Sequence, residues 1–320
     1  MNNYFLSLIG IVFGILLLTV LTAILANYIL KVAKYYKIAD YIIIVFLLGI
    51  VNSIGDFSLA LVAQFVRFGE LIAANAIGVT IALTMLVGGV TAIYERKLPT
   101  VSLRSNKLLV ALNIIVLVFI LLVSDMSISR IDGIILVGVF ALYLAQISTL
   151  HGSIKLRTFN ALHSKKQLYF ALALIVFLIM NIALTSGFAI QQIYVFNNVS
   201  QLGLFVVGIA LVSPFSVLPE LFYELRTVDN GAKQVALSDI VTECVANLSL
   251  IVGACAIIQP ITLINQQIVS FNLFALAVVL VFFNIYAYTG RKIDRKEGII
   301  MVLIYFAYLL TNYQLFIYAV

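Results

Sequence analysis

A proline-broken, acidic segment interrupts a long apolar run in the second half of the chain. It reads Ser213-Pro214-Phe215-Ser216-Val217-Leu218-Pro219-Glu220-Leu221. Pro219 has no backbone N–H and clashes with the preceding turn, so a helix should kink or break near residues 215–219. A carboxylate within a bilayer costs about 2.5–3.5 kcal/mol on insertion scales, and carbonyls freed at that depth need a partner. Glu220 and Ser216 beside this break therefore predict a cation site.

A polar stripe follows in the next apolar run. Asp239, Glu243 and Asn247 are spaced four residues apart, which places them along one face of a helix. Glu243 and Asn247 are expected to face the break in the preceding span. Two interpretations of Asp239 stay open: it lines the same cavity, or it lies near the membrane surface and is solvated.

The first half of the chain carries a matching arrangement. Asn52-Ser53-Ile54-Gly55-Asp56 supplies amide, hydroxyl and carboxylate oxygens, and Gly55 allows a milder helix break. The spacing from Asp56 to Asn75 equals the spacing from Glu220 to Asp239, and Thr80 stands on a neighbouring face. The surrounding apolar runs hold no central Lys or Arg to neutralise the acids, which again favours a bound cation.

The composition requires a membrane environment for these segments. The chain has 320 residues, is 64% hydrophobic and only 10% charged, and its mean hydropathy is +1.18. We predict an all-α polytopic membrane protein, because each apolar run can cross about 30 Å of hydrocarbon as a helix. The ten predicted spans are 4–30, 40–66, 70–94, 108–125, 132–150, 168–187, 202–225, 235–258, 269–289 and 299–319.

The basic residues indicate the orientation of these spans. Loops after the first, third, fifth, seventh and ninth spans hold 17 of the 19 Lys and Arg residues, and only Arg67 and Arg130 fall on the other side. The positive-inside rule then places the basic loops in the cytoplasm and both termini outside, with the cell membrane as the expected location. Short, scattered basic loops without interleaved aromatic residues also argue against nucleic-acid binding.

The two halves are expected to be inverted repeats of five helices each. The acids Asp56 and Glu220 hold matching places, since Gly89 follows the first at the same distance in sequence as Gly253 follows the second. We predict a first repeat over 1–150, a cytoplasmic connecting loop over 151–167 and a second repeat over 168–320. Within the repeats, the segments that carry the polar residues are about 49–89 and 210–258.

These segments resemble the alpha repeats of the calcium/cation antiporter superfamily, which includes the sodium/calcium exchangers. The family pattern is Gly-Thr-Ser-Leu-Pro-Glu, followed by Gly-Asn-x-x-Gly-Ser-Asn-x-x-Asn. Ser216-Val217-Leu218-Pro219-Glu220-Leu221 is similar to the first element, and the stretch from Ser238 to Asn247 is similar to the second. The chain resembles a divergent member, since Glu243 is an additional acid and Val217 replaces a polar ligand.

The resemblance implies roles for the residues already singled out. Asp56 and Glu220 resemble the paired acids that hold the ions, and together with Glu243 they form the expected metal-binding set. The resemblance implies further ligands at Asn52, Ser53, Ser216 and Asn247. We expect a secondary antiporter that exchanges Ca²⁺ for Na⁺ or H⁺ by alternating access, with the first and sixth spans sliding. Its partners are then lipid and small cations, with no cofactor.

Two rival readings stay open from the sequence. A non-transporting membrane scaffold could keep a degenerate exchanger fold after its ligands had drifted. An intramembrane aspartyl protease is the enzymatic alternative, because Ile54-Gly55-Asp56 is faintly similar to the Gly-x-Gly-Asp motif of that class. Ser53 stands where that motif has its first glycine, and a partnering Tyr-Asp motif is missing from the sequence.

Overall fold

The protein is mostly helical in the computed structural model, which describes residues 2–36, 53–100, 107–148, 164–229, 231 and 233–319. Seven helices within this part of the chain are long and apolar enough to cross a membrane. Helices suit such segments because every internal backbone group is hydrogen-bonded within the helix itself. The predicted ligand Asn52 and the connecting segment 151–163 lie outside the described residues.

The helices of the first half are α1 Asn2–Tyr35, α2 Ile54–Phe65, α3 Gly69–Ile81, α4 Gly88–Glu95, α5 Leu108–Val123 and α6 Arg130–Ser148. Those of the second half are α7 Lys165–Ser200, α8 Leu204–Val207, α9 Ser213–Ser216, α10 Leu218–Asp229, α11 Lys233–Val245, α12 Val252–Ile258, α13 Gln266–Tyr288 and α14 Arg295–Ala319.

Three of the membrane helices contain wider π-helical turns. They occupy Ala82–Val87 between α3 and α4, Gly208–Val212 between α8 and α9, and Ala246–Ile251 between α11 and α12. A π-turn inserts a residue into the helical hydrogen-bond ladder and is frequent near functional sites. These turns lie in the most buried helices and re-aim the side chains that follow them.

Two short antiparallel ribbons tie loops together at the ends of the helices. Strand β1, Lys97–Pro99, pairs with β4, Lys292–Asp294. Strand β2, Ser127–Ile128, pairs with β3, Ile261–Thr262. Each ribbon joins a loop of the first half to a loop of the second half, in addition to the helix contacts between the halves.

Several elements around the acids recur in the second half at one constant offset in sequence, which we call the repeat offset. It is the offset from Asp56 to Glu220, and it also relates α2 to α10 at both ends. The π-turns that begin at Ala82 and Ala246 are related in the same way. Gly89 packs against Gly298 and Gly253 packs against Gly133, in each case with a would-be Cβ within 3.0 Å of a carbonyl oxygen. The segments 54–89 and 218–253 therefore match in these elements.

The core lies between α3 and the broken span that runs from α8 to α10. Close approach of these helices depends on two glycines. A Cβ at Gly78 would lie 2.4 Å from Ser213 Oγ, and a Cβ at Gly208 would lie 2.7 Å from Ala74 Cβ. Small residues let helix backbones approach closely in membranes, where packing drives association. This contact fixes the position of the helix break relative to the first half.

Helices α1 and α7 pack against each other along most of their length. They expose large apolar side chains such as Phe5, Phe13 and Leu184, as expected for surfaces that face lipid. Helix α7 ends at Ser200, beyond the predicted boundary at 187. Its additional turns still have packing partners, since the ring of Tyr4 lies 4.8 Å from that of Phe196.

Candidate cation site

Two helices begin at the site, and each places an acid in its first turn. Asp56 is the third residue of α2 and Glu220 is the third residue of α10. The N-terminus of a helix carries partial positive charge and unpaired N–H groups, so it stabilises a carboxylate at this position. The predicted break is present: α9 ends at Ser216, and α10 begins at Leu218 with Pro219 as its second residue.

A cavity brings acids from the two halves of the chain together. Its polar lining consists of Asp56, Ser216, Glu220, Thr19 and Thr22. Both Asp56 and Glu220 are half-buried, since part of each side chain faces this cavity. Helix α1 covers the cavity, and Gly55 permits its close approach: a Cβ there would lie 3.3 Å from Thr22 Cγ2.

Several oxygen atoms around the cavity are buried without a hydrogen bond to any described residue. They include Ser53 Oγ, Ser216 Oγ and Glu220 Oε2. The side chains of Ser216 and Asn247 approach the Asp56 carboxylate, but Ser216 Oγ falls short of a well-formed hydrogen bond. Buried polar groups normally have partners, so unpaired oxygens next to carboxylates are suited to an ion.

The predicted stripe on α11 and its π-turn faces this cluster. Asp239, Glu243 and Asn247 are buried, with 5%, 7% and 1% of their surface exposed. Glu243 lies close enough to Glu220 and Asp56 for their charges to interact. The Asn247 amide donates to the Glu243 carbonyl at 3.1 Å. The solvated alternative for Asp239 is therefore wrong in this structure.

The two predicted polar residues of α3 have different environments. Asn75 is buried, its Oδ1 lacks a hydrogen bond to any described residue, and it lines a second cavity together with Asn247. Thr80 donates its hydroxyl to the Ala76 carbonyl at 2.8 Å and lines neither of these two cavities. The unpaired Asn75 oxygen can thus contribute to the site, whereas the Thr80 hydroxyl is hydrogen-bonded within its own helix.

The acids interact through charge without a basic partner. Within the described parts of the chain, the ion pairs are Lys233–Glu95 and Lys292–Asp294, and neither involves the central acids. The same parts contain no group of three or more His, Cys, Asp or Glu side chains arranged to hold one metal ion. Metal binding by Asp56, Glu220 and Glu243 stays a prediction, because they are neighbours without forming a coordination sphere in this conformation.

Three polar residues near the site were not predicted from the sequence. Glu224 lies one turn beyond Glu220 on α10 and is 3% exposed. Its spacing of four residues from Glu220 places both acids on one face of a helix, and this spacing was the available sequence signal. Thr19 and Thr22 donate their hydroxyls to carbonyls of α1 at 2.7 and 3.0 Å. Their lone pairs stay available to the cavity, yet nothing in the sequence distinguishes them from other membrane threonines.

Two solved structures of exchangers share this architecture. The crystal structure of the H⁺/Ca²⁺ exchanger CAX superposes with a TM-score of 0.76 at 15% identity, covering 97% of this chain and 81% of that one. The sodium-calcium exchanger NCX_Mj, soaked with Na⁺ and Sr²⁺, superposes with a TM-score of 0.63 at 19% identity, covering 95% and 97%. The fold is therefore that of an exchanger-type membrane protein.

The sequence assigns the chain to a family. Residues 6–148 and 170–314 match the family described as sodium/calcium exchanger protein, and the chain belongs to it. The sodium/calcium exchanger MaX1 of Methanosarcina acetivorans is 26% identical over 110 residues, which cover 34% of this chain and 31% of that relative. The membrane protein MJ0091 of Methanocaldococcus jannaschii is 22% identical over 277 residues, covering 86% and 87%.

Family membership confirms the resemblance seen in the sequence. The chain is an integral membrane protein of a transporter family and not an enzyme, so the aspartyl protease reading is wrong.

Proposed function

We propose that this protein is a secondary active antiporter that exchanges Ca²⁺ for Na⁺ or H⁺. The observation that carries this proposal is the group of three central acids, Asp56, Glu220 and Glu243, which lie close enough to repel one another and have no basic partner among the described residues. Such a group is unfavourable unless cations or protons neutralise it. The names of the similar structures, an H⁺/Ca²⁺ exchanger and a sodium-calcium exchanger, support both candidate counter-ions.

The transport site in this proposal is formed by the three acids with neutral oxygens around them. Ser216 and Asn247 approach Asp56, and Ser53 lies one turn before it. We include Asn52 as a further ligand from the sequence pattern, and Thr19 and Thr22 from the cavity lining. Hard cations are bound by carboxylate, carbonyl and hydroxyl oxygens of this kind.

In this proposal, the two cation species compete for the same acids, and this competition gives alternating access. When either cation occupies the site, the acids are neutralised and the protein can change conformation; when the site is empty, their charge opposes passage through the apolar interior. Helices α1 and α7 are the proposed sliding pair, since they pack mainly on each other and α1 covers the cavity. Protons can replace Na⁺ because burial disfavours the charged form of a carboxylate.

We further propose ten spans arranged as two inverted repeats of five. The constant repeat offset between matching helices, π-turns and glycines supports this arrangement. The repeats are 1–150 and 168–320, joined by the loop 151–167. The positive-inside pattern supports cytoplasmic basic loops and external termini in the cell membrane.

Transport by purified protein in vesicles tests the function. We expect ⁴⁵Ca²⁺ uptake driven by an outward Na⁺ gradient, an outward H⁺ gradient or both. Glu220→Gln should reduce uptake to the level of protein-free vesicles, because it removes a charge that neutralises the ion. Asp125→Asn is the matched control: this acid is exposed, and the amide oxygen can still accept the Ser127 N–H.

The outcomes separate the alternatives. Absence of uptake under both gradients would reject calcium exchange and favour the non-transporting scaffold. Full activity in Glu220→Gln would reject this site while leaving transport itself intact.

A further inference from the structure

Two further acids form a second layer beside the central cluster. Glu224 lies one helical turn from Glu220 towards Asp229, and Asp239 lies one turn from Glu243 towards Lys233. At 1.5 Å per residue, each is about 6 Å along its helix from the corresponding central acid. Because α10 and α11 are joined at residues 229–233, both outer acids lie on that side of the central cluster.

This outer pair is buried and lacks partners. Glu224 is 3% exposed and Asp239 is 5% exposed. Glu224 Oε2 and both carboxylate oxygens of Asp239 make no hydrogen bond to the described residues. The helices that carry the two acids pack against each other, and Glu224 and Asp239 lie close enough for their charges to interact. Two neighbouring buried carboxylates without donors require a cation or a proton to neutralise them.

Tyr143 is close enough to Asp239 to interact with its charge, but it cannot supply the missing donor. Thr242 donates its hydroxyl to the Ser238 carbonyl at 2.8 Å. Tyr143 Oη lies 2.7 Å from Thr242 Oγ1, so the Tyr143 hydroxyl must donate in that contact. What Tyr143 can offer Asp239 is therefore a lone pair, which suits a cation and does not satisfy a carboxylate.

The corresponding positions of the first half line a cavity. Ala60 and Asn75 are related to Glu224 and Asp239 by the repeat offset, and both line the second cavity, which also contains Asn247. In the first half, these positions thus line a cavity that also reaches Asn247 of the polar stripe. There they are an alanine and an amide, whereas in the second half they are both acids. Only the positions in the second half therefore carry ionisable side chains.

We propose that Glu224 and Asp239 form a second cation-binding site, which loads a hard cation into the central cluster from the side of residues 229–233. This inference rests on the proposed transport function and adds a binding step to it. The two sides of the protein would then differ. Cations would bind more tightly from the side of residues 229–233, since the corresponding positions in the first half are Ala60 and Asn75.

Equilibrium binding of ⁴⁵Ca²⁺ to the full chain in detergent tests this site. We expect two ions per chain in the wild type, one in the double variant Glu224→Gln/Asp239→Asn, and two in Asp229→Asn. Asp229→Asn is the matched control, because Asp229 is exposed at the same end and its amide replacement can still accept the Tyr94 hydroxyl. Glu220→Gln should retain the outer ion.

If the double variant does not elute as a single species, Glu224→Gln alone serves as the test. Its second ion should bind about tenfold more weakly. Equal stoichiometry and affinity in the wild type and these variants would overturn the second site. That result leaves the central site standing. A wild type that binds no calcium would overturn both proposals.

Discussion

Replacement of Gly78 by alanine tests whether the core helices approach as closely as described. The new Cβ would lie 2.4 Å from Ser213 Oγ and 2.8 Å from Ser213 Cβ. Both distances are too short for side-chain contacts, and Ser213 is only 1% exposed, so it has little room to move. Overpacking of this kind costs about 1–3 kcal/mol. We expect Gly78→Ala to lower the free energy of unfolding by that amount.

A double-mutant cycle isolates this contact. Ser213→Gly removes both clashing atoms, so Gly78→Ala should cost almost nothing in that background, and the coupling energy should be about 1–3 kcal/mol. Equilibrium unfolding by SDS in mixed micelles gives the four free energies. Gly138→Ala is the control, because no atom outside its own helix lies within 4 Å of the added methyl group. Equal effects of Gly78→Ala in both Ser213 backgrounds would refute the packing described.

Three smaller effects follow from other contacts. The Thr22 side chain lines the cavity beside Asp56. Thr22→Val, which removes the hydroxyl, should therefore weaken the apparent affinity for the transported cation about three- to tenfold in uptake assays. Thr22→Ser keeps a hydroxyl and should leave the affinity unchanged. Asn272→Leu should lower the free energy of unfolding by about 1–3 kcal/mol, since Asn312 and the Tyr308 hydroxyl would lose buried hydrogen bonds of 2.8 and 2.6 Å. Glu95→Gln should change stability by less than about 1 kcal/mol, as its partner Lys233 is 43% exposed.

The sequence predicts those features that depend on local chemistry. Pro219 cannot continue a helix, and the chain does break at Val217. The spacing of Asp239, Glu243 and Asn247 fixes a common face, and the structure buries all three. In each case the signal lies in one residue type or one helical period, so no knowledge of the tertiary contacts is needed.

Features that depend on contacts between distant segments were not predictable in the same way. Glu224 lies at the end of a predicted span, where an acid is normally solvated; only the packing of α11, which brings Asp239 to it, makes the position buried. The π-turns have no distinctive composition, because they arise from a shift in backbone hydrogen bonding. Thr19 and Thr22 gain significance only because α1 crosses the cavity at Gly55.

Anomalous diffraction from crystals grown with Sr²⁺ in place of Ca²⁺ tests the central claim most directly. A peak within coordination distance of carboxylate oxygens of Asp56, Glu220 and Glu243 is the expected result, at about 2.3–2.6 Å for calcium itself and slightly longer for the larger ion. Sr²⁺ bound only elsewhere, with these three carboxylates empty at saturating ion, would contradict the assignment of the site.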